Sequence, residues 1–246
     1  MTSSPIEIQG WAAEEFQQHV LKSKPKVAVF DCDGTLWNGD AGGGFLKWSL
    51  EQGLVSRSMT DWIDERYRAY LAGGIGEIQI CGEVVQIYAG VRERELRDAA
   101  AKYVDQFVKK AIFEEMRDLV ALLKKAGTEI WAVSSTNKWI IVAGAGLFGI
   151  PEERVIAVDM RVVNGVVTSE ILQVPSDEDK VTALNKAGLP HPDAIFGNSI
   201  HDLAMLEIAR NPFPVNPSPA LLKAIAGRGW GYFRPKTADG AAVGGE

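Results

Sequence analysis

The sequence predicts an α/β fold interrupted by a block of helices, and three observations carry that reading. The run KVAVF before Asp31 has four apolar residues in five, two of them Val, the composition of a strand buried in a parallel sheet. Residues 39–108 offer helical stretches separated by Gly-rich or polar breaks and no strong strand. Beyond residue 129, strand-like and helical runs alternate, as they do in an α/β domain.

In chain order, a first helix near 10–21 precedes that strand. The inserted helices are expected at 45–52, 59–71, 77–88 and 92–108. A core helix at 113–125 ends before Gly127, a C-cap signal. Residues 129–136, EIWAVSST, read as a strand ending in small hydroxyl residues, with a helix from about Asn137. A strand at 154–158 leads into a hairpin at 162–167, turned by Asn164-Gly165. Residues 194–196 form a short buried strand, and 200–209 the helix after it. Late short strands are expected at 214–216 and 230–233, and the small-residue stretch 238–246 as a disordered tail. The expected division is a core of 1–38 and 110–237 around a helical cap of 39–109, without internal repeats or a long linker.

Asp31 and Asp33 stand one residue apart where the first parallel strand ends, and Gly34 then lets the backbone turn sharply. Ligands of open α/β sheets bind beyond the carboxyl ends of the strands. Two acids there cost desolvation and repulsion unless a cation or a reaction uses them. The pair therefore points to an active site holding a divalent metal. A calcium loop needs further oxygen ligands and a late Glu, whereas Thr35, Leu36 and Trp37 follow here and position 42 is Gly42. A plain strand-to-helix turn is the structural alternative.

DCDGT at 31–35 resembles the first motif of the haloacid dehalogenase superfamily, most of whose members are phosphatases. Three later segments follow in the family's order. EIWAVSST matches the second motif, and the resemblance makes Ser134 a holder of a phosphoryl oxygen, helped by the Ser135 amide. Ser134 also suits a helix N-terminus, and both roles are compatible because helix N-termini bind anions. Lys180, in SDEDKVTAL, matches the family's lysine at a helix start, where a cation is mildly unfavourable unless it has a task. Lys186 is a competitor that fits the spacing less well. AIFGNSIHDLAML matches the last motif, with Asn198 where the family commonly has Asp and Asp202 at the second acid. Asn keeps a ligand oxygen but loses a charge, so weaker metal binding is expected. His201 reads as a helix-surface residue.

The resemblance covers nearly the whole chain and is most similar to the phosphoserine phosphatase branch. It implies a doubly wound parallel sheet with a mobile helical cap over its catalytic end. It implies a magnesium ion held by Asp31, Asp33 through its carbonyl, and Asn198, with Asp202 behind them. Asp31 would be the nucleophile, Asp33 the proton donor and then base, and Ser134 and Lys180 would spread the phosphoryl charge. Asp40, nine residues past Asp31, is where that branch meets a substrate amine. Glu83 falls where it carries an Arg for a carboxylate, so phosphoserine is not the expected best substrate. Asp40 and Glu83 with Trp37, Trp48, Trp62 and Trp139 could hold a cationic head group such as choline or ethanolamine. Packing of those tryptophans is the commoner fate.

The chain carries 26 basic and 32 acidic residues, a net charge of −6, and no basic stripe for nucleic acid. No run approaches membrane-spanning length, and the start carries acids without an apolar core of signal length. Cys32 and Cys81 fit no disulfide framework, which favours the cytoplasm. The expected partner is a small phosphorylated metabolite, with monomer and homodimer both open. Two function classes stand: a magnesium-dependent phosphomonoesterase, and a non-catalytic relative that binds a phosphometabolite.

Overall fold

A computed structural model describes residues 8–236 of the chain; the stretch expected as a tail, 238–246, lies outside them. The chain opens with β1 (Gly10–Trp11), α1 (Ala13–Lys22) and β2 (Val27–Phe30). Four helices follow: α2 (Ala41–Glu51), α3 (Arg57–Leu71), α4 (Glu77–Gln86) and α5 (Glu93–Tyr103). A π-helical turn, Val104–Val108, leads through α6 (Lys109–Ala111) to α7 (Glu114–Lys125) and β3 (Glu129–Asn137). Then come α8 (Lys138–Gly146), β4 (Val155–Val163), β5 (Val166–Gln173), α9 (Glu178–Lys186) and β6 (Ala194–Gly197). The last elements are α10 (Leu203–Ile208), β7 (Asn211–Pro214), α11 (Pro219–Ile225) and β8 (Tyr232–Phe233).

Six strands make one sheet in the order β5-β4-β3-β2-β6-β7, parallel except for β5. The chain winds outward from β2 to β5 and then returns to the other side of β2. The doubly wound class is therefore present, and its switch point lies between β2 and β6, where such sheets open a ligand crevice. Alternating side chains of β2 serve the two faces. Ala28 and Phe30 pack in one cluster with Phe16 of α1, Met116 of α7 and Ile140 of α8, whereas Val29 joins Leu184 of α9, Leu206 of α10 and Leu221 of α11. Phe30 and Phe196 stack at 4.1 Å across β2 and β6. Phe45, Ile63, Leu96 and Tyr103 of the inserted helices, with Tyr88 in the turn after α4, belong to the same buried cluster as Phe30.

Register sets the site. Phe30 lies opposite both Ala132 and Phe196, so the residues just beyond this shared register meet at one edge of the sheet. That edge receives Asp31, Ser134 and Asn198.

Several boundaries differ from the sequence expectation for tertiary reasons. Gly10 and Trp11 are strand, not helix, because they pair with Tyr232 and Phe233. The helix expected from 45 begins at Ala41. Asp40 caps it by accepting the Gly43 N–H, and a Cβ on Gly42 would stand 2.7 Å from Thr136 Oγ1, so the glycines serve close approach. The helix over 92–108 passes into the π turn, whose extra residue keeps both Val104 and Val108 buried. The strand expected at 214–216 is Asn211–Pro214, fixed by pairing of Asn211 with Ala194. The Asn164-Gly165 hairpin is present, with both residues at positive φ.

Gly144 of α8 faces the ring of the fully buried Trp37, and a Cβ there would come within 2.8 Å of Cη2. Gly144→Ala is expected to lower unfolding stability by about 1–3 kcal/mol through overpacking, read from denaturant midpoints.

Candidate active site

Asp31, one residue past β2, is 5% exposed. Thr35 Oγ1 donates to its Oδ2 at 2.9 Å, and Lys180 Nζ donates to its Oδ1 at 2.9 Å. The same ammonium donates to Asp202 Oδ1 at 2.5 Å. The other oxygen of Asp202 accepts the backbone N–H groups of Asn198 and Ser199, each at 2.9 Å. Lys180 and Asp202 are both buried. Lys180 reaches this place from the first turn of α9, as the motif spacing requires. Two glycines permit the crowding. Gly34 has φ +76° and lies so close to the Asn198 amide that any Cβ would collide, and a Cβ on Gly197 would stand 2.7 Å from that of Asp202.

Asp33 is held by three donors. Trp37 Nε1 and the Ala41 N–H both donate to Oδ1 at 2.7 Å, and Thr136 Oγ1 donates to Oδ2 at 2.8 Å. Ser134, 2% exposed, accepts the Thr136 N–H at its Oγ. Ser135 lines the cavity, but its hydroxyl donates to the Pro175 carbonyl and ties the end of β3 to the loop before α9.

Electrostatics follow from burial. Desolvation first, and then Asp202, push the Asp31 carboxyl up to about 6 against the pull of Lys180. Desolvation and Asp40 push Asp33 up to about 7, opposed by its three hydrogen-bond donors. Burial pulls the Lys180 ammonium down, but Asp202 and Asp31 outweigh it and hold the group above the ordinary lysine range.

A cavity of about 1000 Å³ opens over these groups. Its floor includes Asp31, Asp33, Ser134, Lys180 and Asn198, so the sequence-predicted core residues come together. Asp40 lines it too. Asp202 sits beneath, its carboxylate taken by Lys180 and two amides. The far wall comes from α3 and α4, with Tyr67, Arg68, Tyr70, Glu77 and Cys81. Glu77 accepts from Tyr70 Oη and, at 3.5 Å, from Cys81 Sγ. Burial and then Glu77 push the Cys81 thiol up, so it stays a neutral donor.

Two expectations are corrected, those for Glu83 and His201, and the packing favoured for the tryptophans is observed. Glu83 is not in the wall: it is turned to Arg66, which donates to both its oxygens at 2.8 Å. No tryptophan lines the cavity; Trp37 and Trp139 are buried, and Trp48 packs on Phe45 and Tyr103. His201 is not a plain surface residue. Its Nδ1 lies 2.8 Å from Asp177 Oδ1 and its Nε2 3.8 Å from Glu77 Oε2, so it reaches from the core to α4 across the cavity. Glu77 escaped notice although Glu77, Ile80, Cys81 and Val84 recur at the spacing of one helix face. Thr136 carried no sequence signal beyond its place two residues after Ser134.

A metal-assisted or acid–base hydrolase is the class these groups define, and the family comparison agrees. The model of the haloacid dehalogenase-like hydrolase family matches residues 28–207, and the chain belongs to that family. It is 27% identical over 215 residues to a histidinol-phosphatase of Neisseria meningitidis serogroup C (strain 8013), a match covering 83% of this chain and 96% of that one. A probable phosphatase of Mycobacterium tuberculosis (strain ATCC 25618 / H37Rv) is 27% identical over 213 residues, covering 83% of this chain and 73% of the relative. A protein of unknown function from Bordetella pertussis Tohama I shares the fold at a TM-score of 0.73 and 24% identity, covering 84% of this chain and 97% of that one. A phosphoserine phosphohydrolase-like protein from Francisella tularensis subsp. tularensis SCHU S4 shares it at 0.58 and 18%, covering 85% and 94%. Among the described residues, no helix is long and apolar enough to cross a membrane.

The raised carboxyl of Asp33 makes stability depend on pH. The unfolded chain releases this proton near 3.8, the ordinary value for an aspartate, whereas the folded protein keeps it to about 7. Between those values the folded state binds more protons, so its stability falls as pH rises and levels off above 7. In chelator-treated buffer, wild type is expected to lose on the order of a few kcal/mol relative to Asp33→Asn from pH 4 to 7, read from paired melting curves.

Proposed function

We propose that the protein is a magnesium-dependent phosphomonoesterase acting on a small phosphorylated metabolite through an aspartyl-phosphate on Asp31. The observation that carries the reading is the buried chain Asp31–Lys180–Asp202 at the sheet's switch point, with Asp33 and Ser134 beside it. Thr35 and Lys180 orient the Asp31 carboxylate. One Asp31 oxygen attacks phosphorus and the ester P–O bond breaks. Asp33 gives its proton to the departing alcohol oxygen. In the second half Asp33 takes a proton from water, whose oxygen attacks phosphorus, and the bond to Asp31 breaks to release inorganic phosphate. Lys180 and the Ser134 hydroxyl hold the phosphoryl oxygens, where most catalysis of phosphoryl transfer lies.

The donors fit magnesium. Asp31, the Asp33 carbonyl and Asn198 offer oxygen only, and Asp202 is committed to holding Lys180 and the Asn198 backbone. Magnesium takes one or two carboxylates and keeps sites for water and phosphate. When bound it neutralises phosphate charge. Asn198 in place of an acid supports weaker binding. The free thiols of Cys32 and Cys81 suit a reducing cytoplasm, where we place the protein.

A cationic phosphomonoester is the substrate reading the cavity favours. Asp40, Asp64 and Glu77 line it with Tyr67 and Tyr70, against Arg68 as the one lysine or arginine among the lining residues from the inserted helices. An ammonium meets both charge and aromatic faces there. This transfers the cation site from the tryptophans to the tyrosines, and from Glu83 to Glu77. The histidinol-phosphatase among the relatives supports an amino-alcohol ester.

Hydrolysis of p-nitrophenyl phosphate is expected to need added magnesium and to fall at least about a thousandfold in Asp31→Asn. Unchanged turnover in the variant would refute the aspartyl-phosphate. Absence of turnover with any ester, together with a melting shift from phosphoserine or choline phosphate, would favour the non-catalytic binder.

Across a panel of ethanolamine, choline, histidinol, serine and glycerol phosphates, the amines without a carboxylate are expected to lead. Glu77→Gln should raise KM for them by about tenfold or more and spare glycerol phosphate. A wide preference for phosphoserine, or an indifferent Glu77→Gln, would overturn the cation reading.

A further inference from the structure

Asp33 has two oxygens, and their surroundings are unequal. Oδ1 accepts two N–H donors, from the Trp37 indole and the Ala41 backbone, both at 2.7 Å. Those bonds fill the two lone pairs a carboxyl oxygen offers, and neither donor can accept in return. Among the described residues Oδ2 accepts a single bond, from Thr136 Oγ1 at 2.8 Å, which leaves one of its lone pairs to the cavity. Both Asp33 and Thr136 line the cavity.

We propose, on the phosphatase reading above, that Asp33 delivers and recovers its proton through Oδ2, and that Thr136 is the positioning residue that aims this oxygen. The hydroxyl of Thr136 donates to one side of Oδ2 in both halves of the reaction. The other side carries the proton toward the alcohol oxygen, and after transfer it accepts a proton from water. Thr136 is itself fixed at both ends of the chemistry, because its backbone N–H donates to Ser134 Oγ at 3.1 Å. The phosphate contact Ser134 and the residue that aims the proton donor, Thr136, thus lie two residues apart at the end of β3. Gly42 completes the arrangement. A Cβ there would lie 2.7 Å from Thr136 Oγ1, so only glycine lets α2 seat its first turn over the hydroxyl.

The leaving group separates this role from a general loss of structure. An alkyl alkoxide needs a proton as it departs, whereas p-nitrophenolate leaves without one. Thr136→Val keeps the shape and removes the hydroxyl. It is expected to lower kcat/KM at least about tenfold for the alkyl ester turned over fastest in the panel, and less than about threefold for p-nitrophenyl phosphate. Thr136→Ser should restore the alkyl rate. Gly42→Ala, whose added Cβ would stand 2.7 Å from the hydroxyl and crowd it, should reproduce the alkyl-selective loss in a chain whose Thr136 is intact. Equal losses on both esters, no loss on either, or failure of Ser to restore the rate would overturn the assignment. So would wild-type hydrolysis confined to the aryl ester, although the phosphatase reading would then survive. Hydrolysis of neither ester by wild type would remove the phosphatase reading and this inference with it.

Discussion

One buried ammonium holds the site together. Lys180 lies between Asp31 and Asp202, all three removed from water, and no two of them adjacent in sequence. Two carboxylates in that space would repel, and each would suffer desolvation; the ammonium offsets both effects. Removing one member of such a buried set leaves an uncompensated charge, at a cost of about 3–5 kcal/mol. The bridge also fixes geometry. It pins the end of β2 to α9 and to the turn after β6, and Asp202 in turn gathers the Asn198 and Ser199 amides. The residues that would bind phosphate are therefore positioned by the same contacts that close the core at its switch point.

The core half of this arrangement was legible in the sequence because strand ends are legible. KVAVF, EIWAVSST and AIFGN each carry a buried strand followed by a polar residue, and parallel register brings those residues side by side. Lys180 was legible through motif spacing. The helical wall was harder for two physical reasons. The start of α2 is a glycine run, which reads as a loop until the Thr136 contact that demands it is known. Glu83 was chosen by alignment, yet it stands six residues beyond Glu77, about 240° further around α4 at 100° per residue. That rotation carries Glu83 to Arg66 and leaves Glu77 facing the cavity. The tryptophans followed their commoner fate, since a large ring lowers its free energy most by burial.

Core and inserted helices meet at charged groups rather than only at apolar ones. The first backbone amide of α2 rests on Asp33, and His201 of the core reaches Glu77 of α4. Asp33 thus receives one donor from β3's end, one from its own loop and one from the inserted helices. Its orientation is a property of the assembled molecule, not of the DCDGT segment alone.

Charge links the proposed metal to the proposed cationic substrate. Among the described residues, the cavity is lined by five carboxyl groups, Asp31, Asp33, Asp40, Asp64 and Glu77, against two basic side chains, Lys180 and Arg68. A phosphate dianion entering that field is repelled unless positive charge enters with it or is already bound. On the proposed reading, a divalent ion held by Asp31 and Asn198 would answer the repulsion at the phosphate end. An ammonium on the alcohol would, on the same reading, answer it at the Glu77 side of the same cavity. That proposed ammonium would add positive charge beside Asp40, Asp64 and Glu77, which Arg68 alone offsets among the basic lining residues of the inserted helices.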